Sequence, residues 1–309
     1  MKLTVALPTW NNADIVWLAM EGLIRQKNSP DWELLILECA SNNQAGAEFF
    51  QSYWPKLQKA GCKRMVYEYR DKRMALNEKW LRLAEISQGE IFCLQGSDDY
   101  PHRERNVKAY EANADWYDCR YYYQYHIALE KLIEYDNKQT DANEPKEWKT
   151  GFNMAIRTEL IKKIKFIKAV RSGVDFWLFE NVKPKNRHVD QEKYKGVSTT
   201  GLNSISSRRY KYFLKPEHPF YDTHESLTSL RIPKSVIKDL KEIKDKAIID
   251  KPKYDTTPVL VRFTKKINGR QRGTVQNVPA HSLDYFFLRD AIELAYPVSN
   301  KQNNFELCI

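Results

Sequence analysis

Long apolar runs are missing from this chain. None approaches the ~20 residues that a membrane-spanning helix needs, so an integral membrane protein is not expected. The opening MKLTVALPTW lacks the cationic lead and cleavage site of a secretory leader, and a soluble, cytoplasmic protein is the expectation. Cysteine is scarce: Cys39, Cys62, Cys93, Cys119 and Cys308 are odd in number, and none sits in a CxxC pair or near histidines at zinc-finger spacing. That excludes a disulfide scaffold or structural zinc in favour of reduced thiols. Glycine is missing where a phosphate-cradling loop would need it, since PTWNNAD follows the first apolar run and no glycine precedes Gly22. No internal repeat or low-complexity tract is visible.

What is present is a chain of 309 residues, 42% hydrophobic, enough to bury the core of one large domain or two smaller ones. Its net charge of +10 is unevenly placed. Residues 1–150 carry 20 Lys and Arg against 23 Asp and Glu, a net −3, and residues 151–309 carry 30 against 17, a net +13. An acidic partner for the second half accounts for this split, and so does a lysine-rich solvated surface.

Hydrophobic periodicity predicts alternating strands and helices in the first half. LTVALP is a strand, followed by a polar loop and a helix carrying Val16, Ala19, Met20, Leu23 and Ile24. LLILE at 34–38 is a second strand and residues 65–69 a third. Leu76, Trp80, Leu83 and Ala84 form the apolar stripe of a helix that ends before Gly89. EIFCLQ is a fourth strand and runs straight into GSDDYP, placing two carboxylates at the carboxyl end of a strand, where open α/β sheets bind ligands. A helix follows to Asn113, then the tyrosine-rich YYYQY at 121–125. Beyond 150, TELIKKIKFI and SGVDFWLFENV read as helices and GVSTTGLNSISSRR as loop and strand, whereas 215–257 gives no firm reading. Near the end, alternation around Asn268-Gly269 predicts a hairpin, and SLDYFFLRDAIELA a helix after it.

Ser97-Asp98-Asp99 is the central chemical candidate. Adjacent carboxylates at a strand end suit Mg²⁺ or Mn²⁺, which prefer oxygen ligands. The same residues also read as a helix N-terminus, with Asp99 as the cap and Pro101 in the first turn.

The company of these residues matters: in order and spacing, ALPTWNN, WELLILECASNN, KRMALNEKWLRLAEISQGEIFCLQGSDDY and SGVDFWLFENV resemble four blocks of the family 2 glycosyltransferases. The resemblance implies a GT-A type fold: α/β, a Rossmann-like, mostly parallel sheet flanked by helices, here with a small C-terminal β-β-α appendage. It implies a donor half at 1–150, an acceptor-side half at 151–214 and a basic extension at 215–309. It further implies a nucleotide diphosphate sugar donor, a UDP-sugar by preference, and Mn²⁺ or Mg²⁺. Pro8, Thr9 and Trp10 would face the base, Glu38 the uracil ring, and Asn77 would join the donor site. Asp98 would be the main metal ligand with Asp99 in support. Asp175 would be the base of an inverting transfer. Cys39, Ala40 and Gly96 depart from the pattern, with Gly96 standing where the family has its first aspartate.

Other residues are open to two readings. Arg73 suits donor phosphates or an exposed helix start, His188 the metal and diphosphate or plain surface, and Trp177 an acceptor wall or core packing.

The acceptor is less defined. Arg262, Lys265, Lys266, Arg270 and Arg272 surround the predicted hairpin turn, and with the +13 half they favour hydroxymethylated pyrimidines in DNA, decorated by bacteriophage-type enzymes in a host cytoplasm. The tyrosines of YYYQY could then stack on an extruded base. The alternatives are a surface polysaccharide acceptor and a non-catalytic nucleic-acid-binding protein on a degenerate transferase fold. A sugar nucleotidyltransferase is disfavoured by the missing glycine loop.

Overall fold

The computed structural model describes residues 1–136, 153–166, 168–170, 173–192, 196–202, 221–222, 226–247, 258–263, 275–279, 292–294 and 305–308. The first half alternates as expected: β1 (Leu3–Thr9), α1 (Trp17–Leu23), β2 (Trp32–Cys39), α2 (Gly46–Ser52), α3 (Trp54–Lys59), β3 (Cys62–Arg70), α4 (Leu76–Ile86) and β4 (Ile91–Leu94). Then come β5 (Asp99–Pro101), α5 (Arg105–Glu111), β6 (Trp116–Cys119), β7 (Tyr121–His126), β8 (Lys131–Asp136), β9 (Ala155–Arg157), α6 (Thr158–Ile161), α7 (Val174–Val182), β10 (Arg187–Asp190) and β11 (Gly196–Thr200). The remainder comprises β12 (Tyr221–Asp222), α8 (Lys234–Glu242), β13 (Pro258–Phe263), β14 (Val275–Pro279), β15 (Ile292–Leu294) and β16 (Phe305–Cys308).

The central sheet has eight strands in the order β10-β6-β9-β4-β1-β2-β3-β16. Neighbours within β4-β1-β2-β3 are parallel, as are β10 and β6, whereas β9 and β16 run antiparallel to their neighbours. This is the α/β class and mostly parallel sheet expected from the sequence. Strands β1 and β2 are buried along their whole length, as parallel strands covered on both faces must be. Leu3, Val5, Leu7, Leu34 and Ile36 join a core with residues of α1, α2 and α3. Ala6, Leu35 and Leu37 point the other way, into a core with α4, α6 and α7. Each such leucine or isoleucine contributes roughly 1.5–3 kcal/mol by leaving water. At the start of α4 the Glu78 carboxylate accepts from the Ala75 N–H at 2.7 Å, satisfying a donor the helix leaves open.

A second sheet, β12-β8-β7-β11-β5, lies at the carboxyl-end side of β4. Tyr100, Tyr123, Tyr125, Leu132 and Val197 form its core with Leu18 of α1 and Val236 and Leu240 of α8. Close approach ties it to α1: a Cβ on Gly22 would fall 2.4 Å from the Pro101 ring.

Several expectations are corrected. Residues 99–101 form strand β5 rather than a helix start, because pairing with β11 takes up their backbone groups. TELIKKIKFI is helical only at Thr158–Ile161. Within YYYQY, Tyr122, Tyr123 and Tyr125 are buried, and the Tyr123 hydroxyl donates to Glu134 at 3.0 Å, so these rings pack the second sheet and are closed to a flipped base. Strands β9 and β10, from beyond residue 150, join the central sheet with β1–β4. At the C-terminus the expected strand pair is present as β13 and β14, but 292–294 is a third strand, not the end of a helix. There the free edge of β13 offers backbone partners, which override helical propensity. Finally, β16 returns to pair with β3, so the last strand belongs to the central sheet. The Asn268-Gly269 turn lies outside the described residues, and among those described no helix is long and apolar enough to cross a membrane.

Candidate active site

The turn leaving β4 is built by contacts from three directions. The Gln95 side-chain amide donates to the carbonyls of Gly96 at 2.8 Å and Asp99 at 2.9 Å, folding the tetrapeptide back on itself. From the loop after β1, Asn12 donates to the Ser97 hydroxyl at 2.6 Å. From β11, Thr199 donates both its N–H, at 3.2 Å, and its hydroxyl, at 2.7 Å, to the Asp98 carbonyl. Asp98 is thereby fixed by its backbone while its side chain stays partly exposed.

Asp99 is 8% exposed, and its Oδ1 has no hydrogen-bond partner among the described residues. Burial, and next the adjacent Asp98 charge, hold its carboxyl well above the usual carboxylate range. A hydrogen bond with Ser198 pulls the other way, Asp175 pushes it further up, and Arg105 pulls it down. Asp175, distant in sequence, is thus near enough to act on Asp99. An added Cβ on Gly96 would lie 2.1 Å from Asp99 Oδ2 and 3.4 Å from Asp98 Oδ1, so both carboxylates crowd the Gly96 backbone. Asp99 fills the space a side chain at position 96 would need.

Behind the turn lies Arg105, 2% exposed, which donates to Asn106 Oδ1 at 2.9 Å and to the Leu94 carbonyl. Burial draws its pKa below the ordinary arginine value. Sequence reasoning missed it, because an arginine opening a helix has no distinguishing pattern.

The other predicted residues separate into two groups. Trp10 and Arg73 meet: the guanidinium lies 3.6 Å from the centre of the Trp10 ring, and the indole N–H donates to the Ala40 carbonyl at 3.1 Å. Pro8 and Thr9, by contrast, are buried within β1. The Thr9 carbonyl accepts from the buried Lys79 amine at 3.0 Å, a second residue the sequence did not disclose. Desolvation lowers the Lys79 pKa. Glu38 is fully buried, and its oxygens accept from Ala45 N–H at 3.0 Å, Gly46 N–H at 2.9 Å and the Tyr67 hydroxyl at 2.9 Å. It anchors the start of α2 and leaves no open edge for a base.

Asn77 is likewise buried, and its amide grips the backbone at 168–170 through Lys168 O at 2.8 Å and Val170 N at 3.1 Å. Its role is to tie down the segment leading to α7. His188 is exposed on edge strand β10 and stacks on Tyr117 with centroids 5.8 Å apart. Trp177 packs against the α4-side core. Among the described residues no three His, Cys, Asp or Glu side chains are grouped to hold a metal, so His188 does not complete a set with Asp98 and Asp99. Of the basic hairpin residues, Arg262 lies on β13, and Lys265, Lys266, Arg270 and Arg272 lie outside the described residues.

No family model and no curated protein matches the sequence. Solved structures do align with it. TarS from S. aureus is 16% identical with a TM-score of 0.48, over 68% of this chain and 38% of that one. TarS 1-349 in complex with UDP-GlcNAc is 17% identical with a TM-score of 0.48, over 67% and 61%. A mannosyltransferase from Pyrobaculum calidifontis in complex with GDP-Man and Mn²⁺ is 12% identical with a TM-score of 0.46, over 79% and 69%. The chain thus spans less than two thirds of these TarS structures.

The turn after β4 carries oxygen donors of the kind a divalent cation takes. Asp98 offers a partly exposed carboxylate, and Asp99 offers a buried oxygen with no partner among the described residues. Hard oxygen donors at the open end of a parallel sheet suit Mg²⁺ or Mn²⁺. The fit is chemical and rests on two carboxylates.

Proposed function

We propose that the protein is a glycosyltransferase that moves a sugar from a nucleotide diphosphate donor, a UDP-sugar by preference, to an acceptor hydroxyl. One observation carries the reading: the partly exposed Asp98 carboxylate and the buried Asp99 carboxylate crowd Gly96 in the turn that leaves β4, at the carboxyl end of a parallel sheet. Asp175 of α7, from the second half, adds to the influences that hold the Asp99 carboxyl above its ordinary range, which supports a role for it beside this turn.

In this reading Asp175 accepts the acceptor hydroxyl proton as that oxygen bonds to the anomeric carbon, and the bond to the diphosphate oxygen breaks. Asp98, with Asp99 in support, would hold Mn²⁺ or Mg²⁺, which when bound neutralises charge on the departing diphosphate. Trp10 and Arg73 form a cationic, aromatic wall suited to a nucleotide. Lys79 and Asn12 fix the loop after β1 that carries this wall. Pro8, Thr9, Glu38 and Asn77 shape the site from behind, and His188 has no role in it.

The favoured acceptor is a hydroxymethylated pyrimidine in DNA, supported by the +13 charge of residues 151–309. Incubation with Mn²⁺, a panel of nucleotide sugars and a 5-hydroxymethylcytosine duplex tests it. A sugar-sized gain in DNA mass, lost in Asp98→Ala and Asp175→Ala, supports donor, acceptor and both roles. Diphosphate release without DNA change keeps the enzyme reading and rules out this DNA as the acceptor, leaving a surface polysaccharide as the alternative. A second reading, a non-catalytic nucleic-acid-binding protein on a degenerate transferase fold, is supported by the departures at Cys39, Ala40 and Gly96. Donor binding in the presence of Mn²⁺ with neither diphosphate release nor transfer would support it over the enzyme.

A further inference from the structure

Arg105, at the start of α5, is the only arginine buried outright among the described residues. Its guanidinium is held at two of its three nitrogens. Nε donates to Asn106 Oδ1 at 2.9 Å, and Nη1 donates to the carbonyl of Leu94, the last residue of β4, at 3.4 Å. Asn106 is fixed in turn from the segment between α1 and β2: its N–H donates to Gln26 Oε1 at 3.1 Å and its amide to Ser29 Oγ at 3.2 Å. A guanidinium is planar, so holding two nitrogens fixes the third. That third nitrogen, Nη2, is buried and has no hydrogen-bond partner among the described residues, and Asp99 Oδ1, in the turn that Leu94 leads into, is a buried acceptor in the same state. Burial acts most strongly on Arg105, and of the groups that oppose it, Cys93, Tyr117 and Asp99, only Asp99 is a carboxyl. Arg105 acts on Asp99 in return. Buried polar groups without partners are costly to a fold, and here a donor and an acceptor are complementary.

We propose that Arg105 is a positioning residue of the acidic turn, whose guanidinium orients the Asp99 carboxylate so that Asp98 and Asp99 close on one divalent cation. The inference rests on the metal-assisted reading above and deepens it with a residue that touches neither donor nor cation. Nη1 pins the carbonyl from which the turn starts, and Gln95 ties the turn together through the Gly96 and Asp99 carbonyls. Nη2 offers Asp99 a charge-assisted donor that restrains its rotation. A carboxylate oxygen has two lone pairs, enough to accept from Nη2 and still face a cation. With glycine at position 96 the turn has only two carboxylates, and their relative orientation decides how well they hold the ion.

The test titrates the full chain with Mn²⁺, alone and with UDP present, and reads free Mn²⁺ by electron paramagnetic resonance at a temperature where each variant is folded. Arg105→Gln is expected to raise the Mn²⁺ Kd about 10- to 100-fold. Arg105→Lys brings a cationic donor to Asp99 but cannot also hold Leu94 and Asn106. It should bind Mn²⁺ nearly as tightly as wild type while melting, without metal, as low as Arg105→Gln. A residue serving the fold alone would make affinity follow melting temperature instead. Where Arg105→Gln does not fold, Asn106→Ala takes its place: freeing Nε lets the guanidinium turn, and a several-fold higher Kd is expected. A wild-type Kd in whichever of these two folds, or Arg105→Lys binding as weakly as they do, overturns this inference and leaves glycosyl transfer standing. Absence of Mn²⁺ binding by the wild type, with or without UDP, overturns it together with the metal role of Asp98 and Asp99.

Discussion

Replacing Gly96 by alanine places a methyl carbon 2.1 Å from Asp99 Oδ2 and 2.8 Å from its Cγ. Those distances are far inside van der Waals contact, so the Asp99 carboxyl must move. It has little room, being 8% exposed, and moving it breaks its hydrogen bond with Ser198. Overpacking of this kind costs about 1–3 kcal/mol, and a strained or lost buried hydrogen bond adds about 1 kcal/mol. For a chain of this size each kcal/mol lowers the melting temperature by about 2 °C, giving a drop of roughly 4–8 °C. The functional effect is expected to exceed the stability effect, because the displaced group lies beside Asp98. Diphosphate release at a temperature where Gly96→Ala stays folded is expected to fall by at least tenfold. Thermal melts and a coupled diphosphate assay read both quantities on one preparation. A variant that melts and turns over like wild type would refute the claim that Asp99 occupies the space at position 96.

Three further outcomes follow from particular contacts. Glu38→Gln leaves one of the Ala45 and Gly46 N–H groups facing an amide donor, and a buried unsatisfied N–H costs about 1–3 kcal/mol; a melting temperature equal to wild type would deny the anchoring role. Asn77→Ala frees the 168–170 backbone, so limited trypsin digestion is expected to cut at Lys163, Lys165 or Lys168 several times faster, with unchanged cleavage counting against the tether. Asp99, with its pKa raised in the folded state, binds a proton there that the unfolded chain has already released. Its contribution therefore lowers stability as pH rises from the ordinary carboxylate value through the raised one. Asp99→Asn should flatten that slope in melts taken above pH 4, and an unaltered slope would contradict the assignment.

The strands β1–β4 were legible because strands buried on both faces read as near-continuous apolar runs, as LTVALP and LLILE do. The acidic turn was legible too, since GSDDY directly follows such a run. What surrounds it was not: Thr199, Ser198 and Arg105 reach the turn through pairing of β11 with β5 and through burial, and neither leaves a local periodicity. The backbone partners of Glu38 and Asn77 were hidden for a related reason. A carboxylate or amide at the end of an element looks the same in sequence whether it meets a ligand or a neighbouring backbone N–H. Phe176 and Trp177 are adjacent in one helical stretch, and only the packing of α7 decides which ring is covered. The strand at 292–294 was hidden because its partner, β13, is about thirty residues away.

The most direct test of the central claim is diphosphate release from a panel of nucleotide sugars with Mn²⁺, comparing wild type with Asp175→Asn and Asp98→Ala. Glycosyl transfer assisted by these carboxylates predicts acceptor-dependent release by wild type. Asp175→Asn should be slower by about 10²-fold or more, with donor binding retained, and Asp98→Ala should lose the Mn²⁺ dependence. Release by Asp175→Asn at the wild-type rate, or no release by wild type from any donor, would contradict it.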